Sequence, residues 1–96
     1  MKILWLEKAV VDLEEAYEFI LYDNPSAAAG EVEKVLKSVE RLCDNPAMGK
    51  AGRVPKTREL VVPGTPYLVI YRVKNGRLEV LCVFHGARQW PLKRRS

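Results

Sequence analysis

The apolar residues of this chain keep two different rhythms. Lys2 to Leu6 is a short apolar run that reads as a first strand. From Glu7 the spacing lengthens, and Ala9, Leu13, Ala16, Tyr17, Ile20 and Leu21 recur at helical intervals, which predicts an amphipathic helix over roughly residues 7 to 22. Asp23-Asn24-Pro25 stops it. Asp23 or Asn24 can cap a second helix with Pro25 at its first position, where the missing N–H is harmless. Val32, Val35, Leu36, Val39, Leu42 and Cys43 carry that helix's apolar face to about Asp44, and Asn45-Pro46 ends it.

Beyond this point the period shortens to two. Ala47 to Lys56 mixes Met48, Gly49, Gly52 and Pro55 with basic residues and reads as an exposed loop. Thr57 to Val62 is an expected strand, Pro63-Gly64-Thr65-Pro66 a turn, and Tyr67 to Val73 a second strand. Lys74-Asn75-Gly76-Arg77 is a hairpin with Asn-Gly at its tip, leading into a third strand from Leu78 to His85. The expected order is β-α-α-β-β-β, an α+β fold with a helical hairpin packed on an antiparallel sheet. Pleating puts Tyr67, Val69, Tyr71 and Val73 on one face and Leu68, Ile70 and Arg72 on the other. Both faces are largely apolar, so one should meet the helices and the other is expected to be partly open, as a partner-binding groove requires.

Length and composition narrow the class. The 96 residues are enough for one domain, residues 1–96, and not for two separate cores. At 48% hydrophobic and 29% charged the chain has the make-up of a folding globular protein. Its longest uncharged stretch, Leu60 to Tyr71, contains two prolines and a glycine and is too short to span a bilayer. The N-terminus lacks the apolar core of a signal peptide, so the expected location is cytoplasmic. Cys43 and Cys82 have neither disulfide-framework nor metal-ligand spacing and read as reduced packing residues.

Charge is distributed unevenly. Net charge is +4, yet ten of the twelve acidic side chains fall between Glu7 and Asp44. From Lys50 onward, a run of lysines and arginines faces Glu59 and Glu79 alone. That asymmetry points to an acidic partner, either nucleic acid or an acidic protein segment. Conventional chemistry is poorly served: there is one histidine, His85, no nucleophile triad, no metal cluster, and glycines too scattered for a phosphate loop. No cofactor is expected.

The motifs between residues 53 and 90 carry a resemblance. They are a basic loop, Thr57-Arg58-Glu59-Leu60, Pro63-Gly64-Thr65-Pro66-Tyr67, Tyr71-Arg72-Val73, the Asn-Gly turn, an apolar strand and His85-Gly86-Ala87-Arg88-Gln89-Trp90. The segment resembles the RelE/ParE superfamily of toxins from bacterial type II toxin-antitoxin systems, and Ala9-Val10-Val11-Asp12-Leu13 with Tyr17-Glu18-Phe19-Ile20 resembles its first helix. For the mRNA-cleaving members the resemblance implies basic side chains that orient RNA and stabilise charge on the scissile phosphate. Arg53, Arg58, His85 and Arg88 could supply such a catalytic set with Lys56 beside them, Arg88 falling where cleaving members keep a catalytic arginine. Lys56, Arg72 and Trp90 are the further target-binding candidates. Guanidinium suits the task because its planar donors bind phosphate bidentately.

Two departures weigh against cleavage. Tyr67-Leu68-Val69-Ile70-Tyr71 has Leu68 where cleaving members have a strand arginine, and the tail after Trp90 offers no tyrosine or histidine as general acid or base. The Pro63-Gly64-Thr65-Pro66-Tyr67 and His85-Gly86-Ala87-Arg88 segments look more like the ParE side, some members of which poison DNA gyrase rather than cut RNA. The resemblance therefore implies a growth-inhibiting toxin acting on a macromolecular target and neutralised by an acidic antitoxin. A ribosome-dependent endoribonuclease and a non-toxic binding module stand as alternatives. Bland readings accompany each residue: His85 bonding a backbone carbonyl, Trp90 capping a core edge, Arg58 pairing with a helix carboxylate, and Arg72 keeping an edge soluble.

Overall fold

The computed structural model describes residues 1–86. Its elements are β1 (Lys2–Trp5), α1 (Glu7–Asp23), α2 (Pro25–Asp44), a short 3-10 turn (Pro46–Met48), β2 (Lys50–Ala51), β3 (Arg58–Val61), β4 (Tyr67–Lys74) and β5 (Arg77–His85). The α+β class and the helical hairpin on a sheet are as expected. The sheet is mixed: its order is β1-β5-β4-β3-β2, with β2 to β5 antiparallel and β1 added parallel outside β5. The α1–α2 hairpin thus carries the chain from one edge to the other, as a crossover connection must. The two-residue strand Lys50–Ala51 lies in the expected loop, where Lys50 pairs with Glu59 and Ala51 with Arg58. Its pairing comes from a neighbouring strand, which local composition does not reveal.

The helix junction is built around Asn24. Pro25 begins α2 and Asn24 occupies the N-cap. The Asn24 side chain accepts a hydrogen bond from the Ser26 hydroxyl at 3.0 Å instead of capping a backbone N–H. At the other tight turn, Asn75 and Gly76 have φ of 53° and 71° between the paired Lys74 and Arg77. Positive φ at both positions is the type I′ signature that fits strand twist.

The pleat sorts the core. Tyr67, Val69 and Tyr71 face the helices and cluster with Ala9, Val35, Val39 and Leu42. Leu68, Ile70, Cys82 and Phe84 form a second cluster on the other face. That second face is less open than the alternation suggested, since all four residues are at most 7% exposed. Apolar exposure lies at its margin instead, with Val61 at 61%. Burial, then the nearby Asp12 carboxylate, pushes the Cys82 thiol up to about 12, which fits an inert packing residue.

A β-bulge adjusts the register. Ile70 pairs with Cys82 but Tyr71 pairs with Val80, so Leu81 is an extra residue on β5. This lets both Val80 and Val83 join the helix-facing cluster. The β1 ladder ends at Trp5 and Val80. Beyond it, the Val83 N–H donates to the Asp12 carboxylate on α1 at 3.0 Å, and Lys8 pairs with the same carboxylate at 2.6 Å. Asp12, which the helical pattern alone assigns to a solvated face, thus serves the sheet edge. Among the described residues no helix is long and apolar enough to cross a membrane.

Candidate functional site

The basic half of the chain is organised by its two acidic residues. Glu59 alternates with Arg58 along β3 and therefore points to the opposite face, where its side chain is fully buried. Its carboxylate accepts the Arg53 backbone N–H at 2.9 Å and the guanidinium Nε and Nη2 at 3.3 and 3.2 Å. Glu79, opposite Arg72 in the β4–β5 register, accepts from the Arg72 Nε at 2.6 Å, and Arg77 lies 4.0 Å away. Arg53 and Arg72 are thus charge-compensated within the fold.

These partners set the carboxyl ionisation. Burial is the largest single influence on Glu59 and pushes it up, but the Arg53 backbone and side-chain bonds with the nearby cations hold it below its ordinary value of 4.5. The Arg72 hydrogen bond, outweighing burial, holds Glu79 below the same value. For a carboxyl depressed in the folded state, the stabilising effect is complete above the unfolded value and disappears as pH falls through the folded one. Thermal midpoints should therefore decline as pH falls below the ordinary value of 4.5, and Glu59→Gln should flatten that decline. An acid profile unchanged by the substitution would show that Glu59 is not the responsible group.

Arg58 is positioned differently. It shares the helix-side face with its cross-strand partner Tyr71, and its Nη1 donates to the Gly49 carbonyl at 2.8 Å. The Gly49 N–H in turn donates to the Tyr71 hydroxyl at 2.9 Å, and that hydroxyl donates to the Pro46 carbonyl. The chain from Arg58 through Gly49 to Tyr71 ties a surface cation to a fully buried aromatic. Lys56 sits in the loop between, where the Thr57 N–H closes a turn on the Val54 carbonyl at 3.2 Å. With Pro55 at its second position and Lys56 at φ 67° in its third, this has the form of a type II turn.

Two concavities result. An apolar cleft of about 440 Å³ is formed by Val61, Pro66, Tyr67 and Leu68, with Lys50, Arg53 and His85 around it and Glu59 beneath. His85 meets Tyr67 edge-to-face, with ring centroids 5.5 Å apart. A second recess, of about 300 Å³, is lined by Lys56, Arg58 and Arg72 with Ala51, Thr57 and Val73. The expected site residues therefore divide: Arg53 and His85 belong to the cleft, and Lys56, Arg58 and Arg72 to the recess. Arg88 and Trp90 lie outside the described residues. Sequence reasoning missed Glu59, Gly49 and Tyr71 as the groups that position the cations, and Lys50 and Val61 as cleft walls. The signal for Glu59 was its position as a lone acid on a strand beside a basic loop. Gly49 and Tyr71 left none, because their contact spans the fold.

A family model described as the ParE toxin of a type II toxin-antitoxin system, parDE, matches residues 3–90. The toxin candidate Y4kP of Sinorhizobium fredii is 39% identical over 90 residues, covering 94% of this chain and 93% of that protein. A solved chain of the chromosomal ParDE toxin-antitoxin system from P. aeruginosa superposes with a TM-score of 0.81 at 26% identity, covering 88% of this chain and 95% of that one. The E. coli RelBE toxin-antitoxin complex shares the fold at a TM-score of 0.65 and 14% identity, over 91% of this chain and 98% of its own.

Proposed function

The chain belongs to the ParE toxin family of type II toxin-antitoxin systems, and from that premise we propose that it inhibits bacterial growth by gripping a macromolecular target in the cytoplasm until a cognate antitoxin neutralises it. The observation that carries this reading is the family match across residues 3–90. Solved relatives that are toxin-antitoxin systems support an antitoxin as the partner. The apolar cleft bounded by Lys50, Arg53 and His85 suits an antitoxin segment that is both apolar and acidic.

DNA gyrase is the target we propose, ahead of RNA cleavage. Leu68, which replaces the strand arginine of cleaving relatives, is 7% exposed and packs in the second apolar cluster, so it offers a phosphate nothing. Arg53 is already engaged by Glu59. Expression of the chain without antitoxin in a bacterial host tests the reading. Growth arrest with chromosomal double-strand breaks and an SOS response is expected, and Arg88→Ala should relieve the arrest. Cuts in mRNA at codon boundaries would replace gyrase with the ribosome, and unimpaired growth would overturn the toxin reading.

A further inference from the structure

On the helix side of the sheet, the end of β5 borders a groove that neither the cleft nor the recess uses. β1 follows β5 only to Val80, and past that point α1 flanks the strand through Asp12. One hollow of about 270 Å³ lies between Asp12, Glu15, Phe19 and Val83, and another of about 230 Å³ lies between Phe19, Asp23, Glu31 and Pro66. Tyr67 and His85 border both, so the two adjoin. Phe19 is 64% exposed between them, a large aromatic ring set among carboxylates. Lys8 and the Val83 N–H already engage Asp12. Among the described residues, no cation stands within ion-pair distance of Glu15, Asp23 or Glu31. The Glu31 Oε2 is also buried with no hydrogen-bond donor, which is destabilising until a cation or an N–H reaches it.

We propose that this groove is the docking site of the chain's own residues 87–96, which lie outside the described residues, with Trp90 against Phe19 and Lys93-Arg94-Arg95 beside the carboxylates. The point of departure favours it. The Gly86 N–H donates to the Pro66 carbonyl, and both Pro66 and His85 are groove residues. Four residues separate Gly86 from Trp90 along the sequence, a reach of up to about 13 Å, and Phe19 borders the same two hollows as His85. The segment is matched in kind: it has Trp90 and Leu92 as apolar anchors and Arg88, Lys93, Arg94 and Arg95 as cations. Being tethered, it meets the groove at a high effective concentration. The apolar cleft is the poorer host, because Lys50 and Arg53 on its rim repel a basic run. Docked in the groove, the segment covers the acidic side of His85 and leaves the cleft open to an acidic polypeptide.

Fluorescence of the full chain carrying Trp5→Phe, in which Trp90 is the one remaining tryptophan, tests the proposal. Trp90 emission should be blue-shifted and protected from acrylamide in the folded protein. Phe19→Ala, or the pair E15K/D23K, should red-shift it and remove most of that protection. Residues 15, 19 and 23 are all exposed, so the fold should tolerate these changes. Reversing the segment with K93E/R94E/R95E should release Trp90 as well, and combining that triple change with E15K/D23K should restore protection, which burial of Trp90 elsewhere would not reproduce. Solvent exchange of the Trp90 indole N–H in chains that retain Trp5 repeats the comparison without the Trp5→Phe change. The proposal is overturned if Trp90 is as accessible in the folded protein as in the unfolded one, which would leave the groove to a partner, or if its protection survives the Phe19 and charge variants. Protection that rises with protein concentration would also overturn it, by assigning the groove to the segment of a second copy. Neither antitoxin nor toxicity enters these measurements, so they stand apart from the growth assays.

Discussion

Gly49→Ala is expected to destabilise the fold by about 3 kcal/mol or more, among the largest effects of adding a single methyl group to this chain. A Cβ at residue 49 would stand 2.8 Å from the Tyr71 Cε1 and 2.9 Å from the Glu59 carbonyl oxygen. Tyr71 is fully buried and the Glu59 carbonyl is backbone, so neither can move aside cheaply. Relief would come by breaking the Gly49 N–H to Tyr71 hydroxyl bond, which leaves a buried polar group unpaired. In a domain of this size each kcal/mol moves the thermal midpoint by about 4–8 °C, so a drop of more than about 12 °C should follow. Gly30→Ala provides the contrast, because nothing stands within 4 Å of its Cβ position in α2. That change should stabilise the protein by about 0.5–1 kcal/mol through helix propensity. Equal melting temperatures for the two variants would disprove the role assigned to Gly49.

The second large effect concerns recognition. Val61→Glu should weaken antitoxin binding by roughly 30-fold or more, equivalent to about 2 kcal/mol, through loss of an apolar contact and repulsion of an acidic segment. Val61 is 61% exposed, so the substitution should fold normally. Toxicity should persist while co-expressed antitoxin no longer rescues growth. Val73, 48% exposed and lining the recess, is the matched control, and Val73→Glu should leave antitoxin affinity unchanged. Titration calorimetry of the pair decides the matter, and wild-type affinity in the Val61 variant would remove the cleft as the docking surface.

Which parts of this were legible from the residues follows from the range of each interaction. The helices were, because Ala9, Val35, Val39 and Leu42 repeat at a local period and all end in the helix-facing core. The Asn75-Gly76 tip was, because two adjacent residues fix its φ angles. The parallel placement of β1 was not, since Lys2 opposite Arg77 is a contact between positions far apart in the chain. Alternation along β4 gave the two faces correctly, yet it could not show that Leu68 and Ile70 would be covered. The arginines were legible as a charged set but not as two groups. Their division depends on Glu59 and Glu79, whose partners become apparent only when β3, β4 and β5 are in register.

The parallel pairing of β1 with β5 has a consequence for the timing of biosynthesis. Among the described residues Lys2–Trp5 finds its strand neighbour in Arg77–Val80, so a ribosome releases the two helices well before the strand that pairs with β1. Contacts between such distant positions form late and slowly. The newborn polypeptide is therefore expected to stay inactive through most of translation, and to become harmful only after β5 has emerged. A neutralising protein already present in the cell can meet it during that delay.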